Sequence, residues 1–365
     1  MALALDDRLT PTSRLTKLMR RPELGALSGT LLVILFFAAT AGDTGLFTAR
    51  GLINVLQISA ELGILATAVA LLMIGGEFDL SIGSTIGFAG IVVGLGVTVF
   101  QLPLEITLLV AFAFAVLIGY VNGVLVIRTG LPSFIVTLAF LFILRGLTLA
   151  VTRAITGRTQ VPYIVADEMK DSWIVNLFAG NAFGGLFRWL GEIGVIGLRP
   201  DGLPAVPGVP ASVLWWIGVT AVATWVLLNT RFGNWIFAVG GDQNAARNIG
   251  VPVARVKIIL FILTAAAATL FATIQVLSVG SADTLRGTQK EFEAIIAAVI
   301  GGCLLTGGYG SAIGAAFGAL IFGFVQMGIF YTGIDTDWFK VFLGSMVLIA
   351  VLFNNYVRHK VTEAK

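Results

Sequence analysis

Two ionisable residues, Glu61 and Arg145, fall well inside apolar stretches, whereas the other charges lie in connections, in tails or near the ends of stretches. A charge in hydrocarbon is costly, so intramembrane ionisable residues pair with one another or mark a transport pathway. At about 1.5 Å per helical residue, Glu61 lies roughly 14 Å and Arg145 roughly 10 Å below the outer end of its stretch. These similar depths predict an intramembrane ion pair between the two side chains, with a proton or substrate relay as the alternative.

Two glycine pairs, Gly75-Gly76 and Gly301-Gly302, each end an apolar run and precede a Gly-Ser-x-Ile-Gly motif, which suggests a weak internal repeat. Helices broken at membrane depth are tolerated where they line a cavity or are buried in protein. Carboxylates in such a break would accept hydrogen bonds from sugar hydroxyls and would equally suit the ammonium group of an amino acid. The alternative is two ordinary turns, with Asp79 as a helix N-cap. The predicted substrate-pathway residues are Glu77, Phe78, Asp79, Ser81, Thr306 and Gly307.

A third polar segment predicts a very short helix. Asp242 is a favourable N-cap, Gly250 suits a left-handed helix end, and Pro252 stops the helix. Isolated helices of fewer than about a dozen residues are marginal in water, so this helix must pack against something. The partner is either a separate cytoplasmic protein or the chain's own membrane domain.

Composition excludes most enzyme classes. Of the 365 residues, 57% are hydrophobic and only 12% are charged, which leaves no material for a large soluble catalytic domain. One cysteine, Cys303, and one histidine, His359, argue against disulfides, Cys/His metal sites and histidine chemistry. A net charge of +3 does not indicate a nucleic-acid surface. No lysine follows a glycine, so the chain lacks a Gly-Lys-Ser/Thr phosphate loop and any ATP must be hydrolysed by another polypeptide.

The apolar stretches predict an all-α polytopic membrane protein with about ten transmembrane helices and one or two broken or re-entrant segments. Residues 292–307 contain the shortest apolar run, which either crosses or re-enters. The first stretch ends in Ala39-Thr40-Ala41 after a basic segment, so a cleaved signal peptide is an alternative to a membrane helix. Glycines spaced by four, such as Gly119 with Gly123 and Gly314 with Gly318, predict close helix packing. The stretches are 24–41, 52–75, 80–99, 105–127, 131–152, 212–229, 256–279, 292–307, 309–330 and 338–356.

Lysine and arginine in short loops predict orientation, because these residues resist translocation. Their distribution places both termini in the cytoplasm, as tails of residues 1–23 and 357–365 around a membrane domain of residues 24–356. A long outer segment, 153–211, carries aromatic residues among glycines and charges and predicts a surface helix within 167–193. That helix would serve either as a docking shelf for an outer partner or as an interfacial anchor.

Four ordered segments carry a family resemblance: Gly75 to Ser84, Pro132 to Leu138 with Arg145-Gly146-Leu147, Gly240 to Val251, and Gly301 to Ser311. Together they resemble ABC importer permeases of the monosaccharide group, relatives of ribose and xylose permeases within the branched-chain amino acid/sugar permease family. The resemblance extends from about residue 50 to 356. It implies a membrane-spanning subunit of an ATP-driven sugar importer in a bacterial inner membrane, with 153–211 in the periplasm and 230–255 as a cytoplasmic coupling loop.

The resemblance also implies partners. They are an ABC ATPase that supplies ATP and Mg²⁺ chemistry, a periplasmic sugar-binding protein, and a second permease subunit, a homodimer being favoured over a heterodimer. No cofactor or metal is expected in this chain, which would be a transport subunit and not an enzyme. Branched-chain amino acids or nucleosides are alternative substrates, and an ion-coupled secondary carrier is the alternative from another class. The residues implied to couple to the ATPase are Gly241, Asp242, Asn244, Ala245, Ala246, Arg247 and Gly250.

Overall fold

The computed structural model describes residues 22–165, 172–335, 337–346, 348 and 352. Its long helices are α1 (Pro22–Ala41), α2 (Ala49–Ile74), α3 (Ile82–Thr98), α4 (Leu104–Thr129), α5 (Ser133–Thr156), α8 (Ala211–Asn229), α11 (Val253–Val279) and α13 (Ala312–Tyr331). The shorter helices are α6 (Trp173–Ala179), α7 (Gly184–Glu192), α9 (Arg231–Gly241), α10 (Gln243–Asn248) and α12 (Lys290–Ile300), with a 3₁₀ turn at Gly42–Thr44. Residues 338–346 are also helical.

Membrane-length helices confirm the predicted all-α polytopic architecture. Among the described residues, seven helices are long and apolar enough to cross a bilayer, and they match seven of the ten predicted stretches. Helix α3 is apolar but has only 17 residues. The stretch 338–356 lies partly outside the described residues, as do nearly all of the predicted tails 1–23 and 357–365. The total of about ten crossings therefore stays a prediction.

Helix α12 is too short to cross alone. It has 11 residues, roughly 16 Å, whereas the hydrocarbon core is about 30 Å thick. The residues before it are the short strand Ala282–Asp283 and a series of turns from 284 to 289, and this segment runs antiparallel to α3. Ala282 lies beside Gly94, and Gly287 lies beside Gly83. Helix α12 consequently begins next to the first turn of α3, inside the helix bundle. The stretch 292–307 is thus not one continuous helix, since α12 ends at Ile300 and turns follow it.

Helix α3 is likewise preceded by residues that belong to no helix or strand. The preceding residues, Glu77 to Ser81, run along α11 and contact Lys257 and Thr264, which are roughly 10 Å apart along the helix axis. Two short helices that begin in the interior therefore pack together, and Glu291 of α12 is buried beside Gly83. This arrangement agrees with the predicted broken segments.

The glycine repeat has a matching backbone form. Helices α2 and α12 both end in a Schellman motif, with left-handed glycines at Gly76 (φ 82°) and Gly302 (φ 93°). In each motif one amide bonds the carbonyl five residues back, and the amide of the residue before it bonds the carbonyl three residues back. The pairs are Glu77 N to Leu72 O, Gly76 N to Met73 O, Cys303 N to Ala298 O and Gly302 N to Val299 O.

Small residues bring the helices close together, as predicted. A Cβ on Gly119 of α4 would stand 2.5 Å from the Cα of Ile262 on α11, and one on Gly123 would stand 2.8 Å from the Cα of Ile258. A Cβ on Gly318 of α13 would stand 1.9 Å from the carbonyl oxygen of Ala297. The packing interpretation of these glycines is confirmed.

The outer segment between α5 and α8 folds against the bundle. Two antiparallel pairs of two-residue strands secure it: β1 (Gln160–Val161) with β4 (Ala282–Asp283), and β2 (Asn181–Ala182) with β3 (Val209–Pro210). Phe178 of α6 stacks on Trp215 of α8 with ring centroids 5.4 Å apart. Residues 166–171 lie outside the described residues, and the described part of the predicted surface helix is two short helices, because Gly180 ends α6. On α7, Leu186 and Trp189 remain exposed, which suits both a docking shelf and an interfacial anchor.

Candidate coupling site

The predicted short helix is present as α10, and its N-cap is confirmed. Asp242 Oδ1 accepts hydrogen bonds from the backbone amides of Asn244 (2.9 Å) and Ala245 (3.0 Å). Gly250 is left-handed, with φ 85°, as a glycine at this position of a helix end should be. Local residues therefore dictate both ends of a six-residue helix.

The residues predicted to couple to an ATPase divide into two sets. Ala246 is 2% exposed and packs within the chain, so it is not available to a partner. Next to α10, Ile249 is 78% exposed, although a large apolar residue is normally covered. Sequence reasoning missed Ile249 as a candidate contact, because its position at the end of the helix does not indicate whether its side chain is exposed. The exposed set is Gly241, Asp242, Asn244, Ala245, Arg247, Ile249 and Gly250.

Three glycine pairs meet at the end of α9, just before α10. The pairs are Gly75-Gly76, Gly240-Gly241 and Gly307-Gly308. A Cβ on Gly240 would stand 1.7 Å from the carbonyl oxygen of Ile74, and the amide of Gly308 donates to that same oxygen at 2.8 Å. We name these three pairs the glycine junction. It joins the end of α9, just before α10, to the turn after α2 and to the loop before α13.

A buried lysine links α10 to the same turn. Lys257 of α11 donates to Gln243 Oε1 of α10 at 2.6 Å and forms an ion pair with Glu77. The side chains of Lys257 and Glu77 are 9% and 10% exposed. Sequence reasoning placed Lys257 near a span end and assigned it no role, because its partner is 180 positions away.

The other carboxylate of the turn, Asp79, is also fully engaged. It accepts hydrogen bonds from the amide and hydroxyl of Ser81 (2.9 and 2.6 Å) and from the hydroxyl of Thr264 (2.7 Å). The amide of Phe78 donates to Ser133 Oγ, and that of Leu80 donates to Thr137 Oγ1, each at 3.0 Å. Side chains of α5 thus accept hydrogen bonds from two backbone amides that the helix break leaves free, and Thr264 of α11 bonds the carboxylate of Asp79.

These contacts change the interpretation of the predicted pathway residues. Glu77 and Asp79 are 7% and 3% exposed and bond to the chain itself, so the described structure uses both carboxylates to hold the turn. Gly307 is buried in the glycine junction. Thr306 is exposed in the loop after α12. The structure brings Glu77 to Ser81 together as one turn, but it buries that turn.

Glu61 and Arg145 have separate partners, contrary to the predicted ion pair. Glu61 accepts hydrogen bonds from Gln57 (3.4 Å) and from Gln275 of α11 (2.6 Å). Arg145 donates to three backbone carbonyl oxygens, those of Gly83, Thr284 and Arg286, at 3.1, 2.7 and 3.2 Å. The prediction failed because similar depth does not determine which way a side chain faces. Arg145 instead joins the turns before α12 to the first turn of α3.

Cys303, the single cysteine, is buried in the turn after α12. Its thiol is 0% exposed, so reagents in solution do not reach it. Among the described residues, no group of three or more His, Cys, Asp or Glu side chains is placed to hold a metal ion. The polar contacts described so far position backbone segments of the chain itself.

Long apolar helices, two interrupted segments and an exposed short helix define a multi-pass membrane transport subunit. The chain belongs to the family described as "Branched-chain amino acid transport system / permease component", whose model matches residues 51–351. The predicted family is thereby confirmed, and the chain is a permease component and not an enzyme. No solved structure matches.

Curated relatives cover nearly the whole chain. It is 33% identical over 326 residues to "Ribose import permease protein RbsC" of Escherichia coli (strain K12), covering 89% of this chain and 91% of that protein. It is 29% identical over 368 residues to "Xylose transport system permease protein XylH" of the same strain, covering 92% of each. It is 30% identical over 343 residues to "Probable ABC transporter permease protein YphD", covering 94% of this chain and 92% of that protein.

Proposed function

We propose that this chain is the membrane-spanning subunit of an ATP-driven importer for a monosaccharide. The chain is similar over about nine-tenths of its length to relatives named for ribose and xylose, and this similarity supports a monosaccharide as the substrate. The exposed residues of α10 support the ATP-driven mechanism. A capped helix of six residues, followed by the exposed Ile249, is a surface that a partner protein could cover. Branched-chain amino acids and nucleosides are the alternative substrates within the family.

The proposed partners follow from the family. An ABC ATPase supplies ATP and Mg²⁺ chemistry and contacts α10, and a periplasmic binding protein delivers the sugar. A second permease subunit completes the pathway, and a homodimer is favoured. We place the chain in the bacterial inner membrane with both termini in the cytoplasm, since the basic short connections then lie inside.

Two contacts would transmit ATPase movement into the bundle. The glycine junction joins the end of α9 to the turn after α2, and Lys257 joins Gln243 of α10 to Glu77. Both lead to the stretch that precedes α3. Because packed interiors deform little, a displacement of α10 would move the start of α3 with it. Glu77, Phe78, Asp79 and Ser81 would then act in the pathway as moving backbone rather than as sugar ligands.

Substitution of Ala245 tests the coupling surface. Ala245→Glu adds a charged side chain to an exposed position of α10, so we expect uptake to fall at least about tenfold while membrane insertion is retained. Uptake of radiolabelled ribose or xylose is measured in proteoliposomes that contain the chain, its ATPase and its binding protein. Ala246 is unsuitable because it is buried, and a charge there would disturb the chain itself.

Ala154→Glu is the matched control, since Ala154 is also exposed but lies near the other end of the bundle, in α5. Normal uptake by Ala245→Glu would contradict the coupling role of α10. Uptake by this chain alone in vesicles without ATP would contradict the whole proposal and would indicate a secondary carrier.

A further inference from the structure

The first half of α2 carries a continuous polar face. Arg50, Asn54, Gln57 and Glu61 recur at intervals of four, three and four, so at about 100° per residue they share an arc of roughly 60°. The first is exposed and the other three are partly exposed. They extend over roughly 16 Å of helix. Polar side chains at that depth face water or protein, because lipid would leave them unsatisfied.

This polar face ends at Glu61. Every residue of α2 from Leu62 to Ile74 is buried, and nearly all are apolar. A channel that follows the polar face from the start of α2 would therefore stop at the Glu61 carboxylate.

Polar groups from two other elements surround that carboxylate. Gln275 of α11 donates to Glu61 Oε2 at 2.6 Å, and Gln57 donates to Oε1 at 3.4 Å. The positive charges of Arg286, in the turns before α12, and of Lys290, in the first turn of α12, act on Glu61. Lys290 also pairs with Glu293, and the side chains of this pair are 27% and 17% exposed. The site is therefore a mixture of amides, acids and bases from three elements.

The site retains capacity for hydrogen bonds. A carboxylate offers about four lone-pair directions, and the bonds from Gln57 and Gln275 use two of those on Glu61. Nη1 of Arg286 is buried and has no hydrogen-bond partner among the described residues. Acids also face both bases, since Asp283 acts on Arg286 and Glu293 pairs with Lys290. A ligand with several hydroxyl groups suits this mixture, because each hydroxyl can both donate and accept a hydrogen bond.

We propose that the polar face of α2 lines a water-filled vestibule and that Glu61, Gln57 and Gln275 at its floor hydrogen-bond a neutral polyhydroxylated substrate. The substrate class rests on the proposed function, whereas the vestibule does not. The opening lies where α2 begins, at the same end of the bundle as the segment between α5 and α8, since Arg50 donates to the carbonyl of Ala205 at 3.2 Å. This site is distinct from the buried turn of Glu77 and Asp79.

Cysteine accessibility tests the vestibule without any assumption about the substrate. Asn54→Cys and Gln57→Cys are treated in intact cells with a charged, membrane-impermeant methanethiosulfonate reagent. The control is Val116→Cys. Val116 is 49% exposed and is the thirteenth residue of the 26-residue α4, as Glu61 is of the 26-residue α2. The native Cys303 is buried and should stay unmodified.

We expect Gln57→Cys to react at least about tenfold faster than Val116→Cys, because a charged reagent reaches thiols through water and not through lipid. Equal rates would overturn the vestibule and would show that lipid or a second copy of the chain covers the polar face.

Glu61→Gln tests the substrate contact. Removing the charge weakens a charge-assisted hydrogen bond, so ribose or xylose uptake by the complete importer should fall about tenfold. ATP hydrolysis stimulated by the loaded binding protein should stay within about twofold, because the coupling contacts lie elsewhere. Glu105→Gln makes the same change at an exposed site in the first turn of α4 and should leave both rates unchanged.

Unchanged uptake by Glu61→Gln would overturn the contact, and so would a parallel loss of uptake and ATP hydrolysis, which indicates a structural role. If the unmodified importer takes up neither sugar, the proposed function and this substrate class both fail. The labelling result still decides the vestibule in that case.

Discussion

Gly240 occupies a position that has no space for a side chain. A Cβ there would stand 1.7 Å from Ile74 O and 2.6 Å from the amide nitrogen of Gly308, and neither backbone atom can move independently. A Cβ on its neighbour Gly241, the last residue of α9, would have no atom of another residue within 4 Å. These adjacent glycines therefore differ in whether the surrounding structure can accommodate a side chain.

Gly240→Ala should destabilise the protein by about 1–3 kcal/mol, as overpacking of a close contact does. Gly241→Ala should leave stability unchanged or raise it slightly, because alanine favours the helix. Thermal melting of the purified protein in detergent measures both. Equal melting temperatures for the two variants would show that the glycine junction is not a rigid contact.

At the scale of elements, the two interrupted segments depend on side chains from distant helices. The turn before α3 is held by Lys257 and Thr264 of α11 and by Ser133 and Thr137 of α5. The stretch before α12 is held by Arg145. Each of these non-helical segments is stable inside the bundle because neighbours satisfy its backbone and its charges.

The Glu77–Lys257 pair should show strong coupling in a double-mutant cycle. Lys257→Met and Glu77→Gln should each destabilise by about 3 kcal/mol, because each leaves a buried partner unsatisfied. The double variant should lose less than the sum of the two single losses. Melting temperatures measure the cycle, and Lys340→Met, at an exposed lysine, should have little effect.

A second readout separates coupling from simple stability. If the pair transmits movement from α10, the single variants that remain folded should hydrolyse ATP with reduced sugar uptake. Additive losses in the cycle would mean that Glu77 and Lys257 do not interact in the folded protein.

At the scale of the whole molecule, α1 is part of the packed bundle. Val33, Phe37 and Ala41 are buried in a cluster with α13, where Phe37 lies against Gly328. A signal peptide is cleaved from the mature protein, so its side chains would not be expected to form part of the packed core. The structure therefore favours a retained membrane helix over cleavage after Ala41.

We expect intact-mass spectrometry of the purified protein to find residues 22–41 still attached. Phe37→Ala should lower stability by about 3 kcal/mol, whereas Phe36→Ala should have a smaller effect, because Phe37 is 5% and Phe36 is 56% exposed. A mature mass that begins after Ala41, or equal effects of the two substitutions, would contradict this role of α1.

Features that depend on residues near one another could be predicted from the sequence alone. Long apolar runs indicated membrane helices, and Asp242 and Gly250 indicated both ends of α10, because caps and turns are formed by residues a few positions apart. The four motifs indicated the family for the same reason, since each is a short continuous segment.

Only the tertiary structure decided which distant groups meet. Glu77 bonds to Lys257 across 180 positions, and Arg145 bonds to Thr284 across 139. Glu61 faces Gln275, 214 positions away, and not the arginine at similar depth. Hydrophobic periodicity tells how deep a residue lies and which face of its own helix it occupies, whereas the packing of helices against one another determines what that face meets.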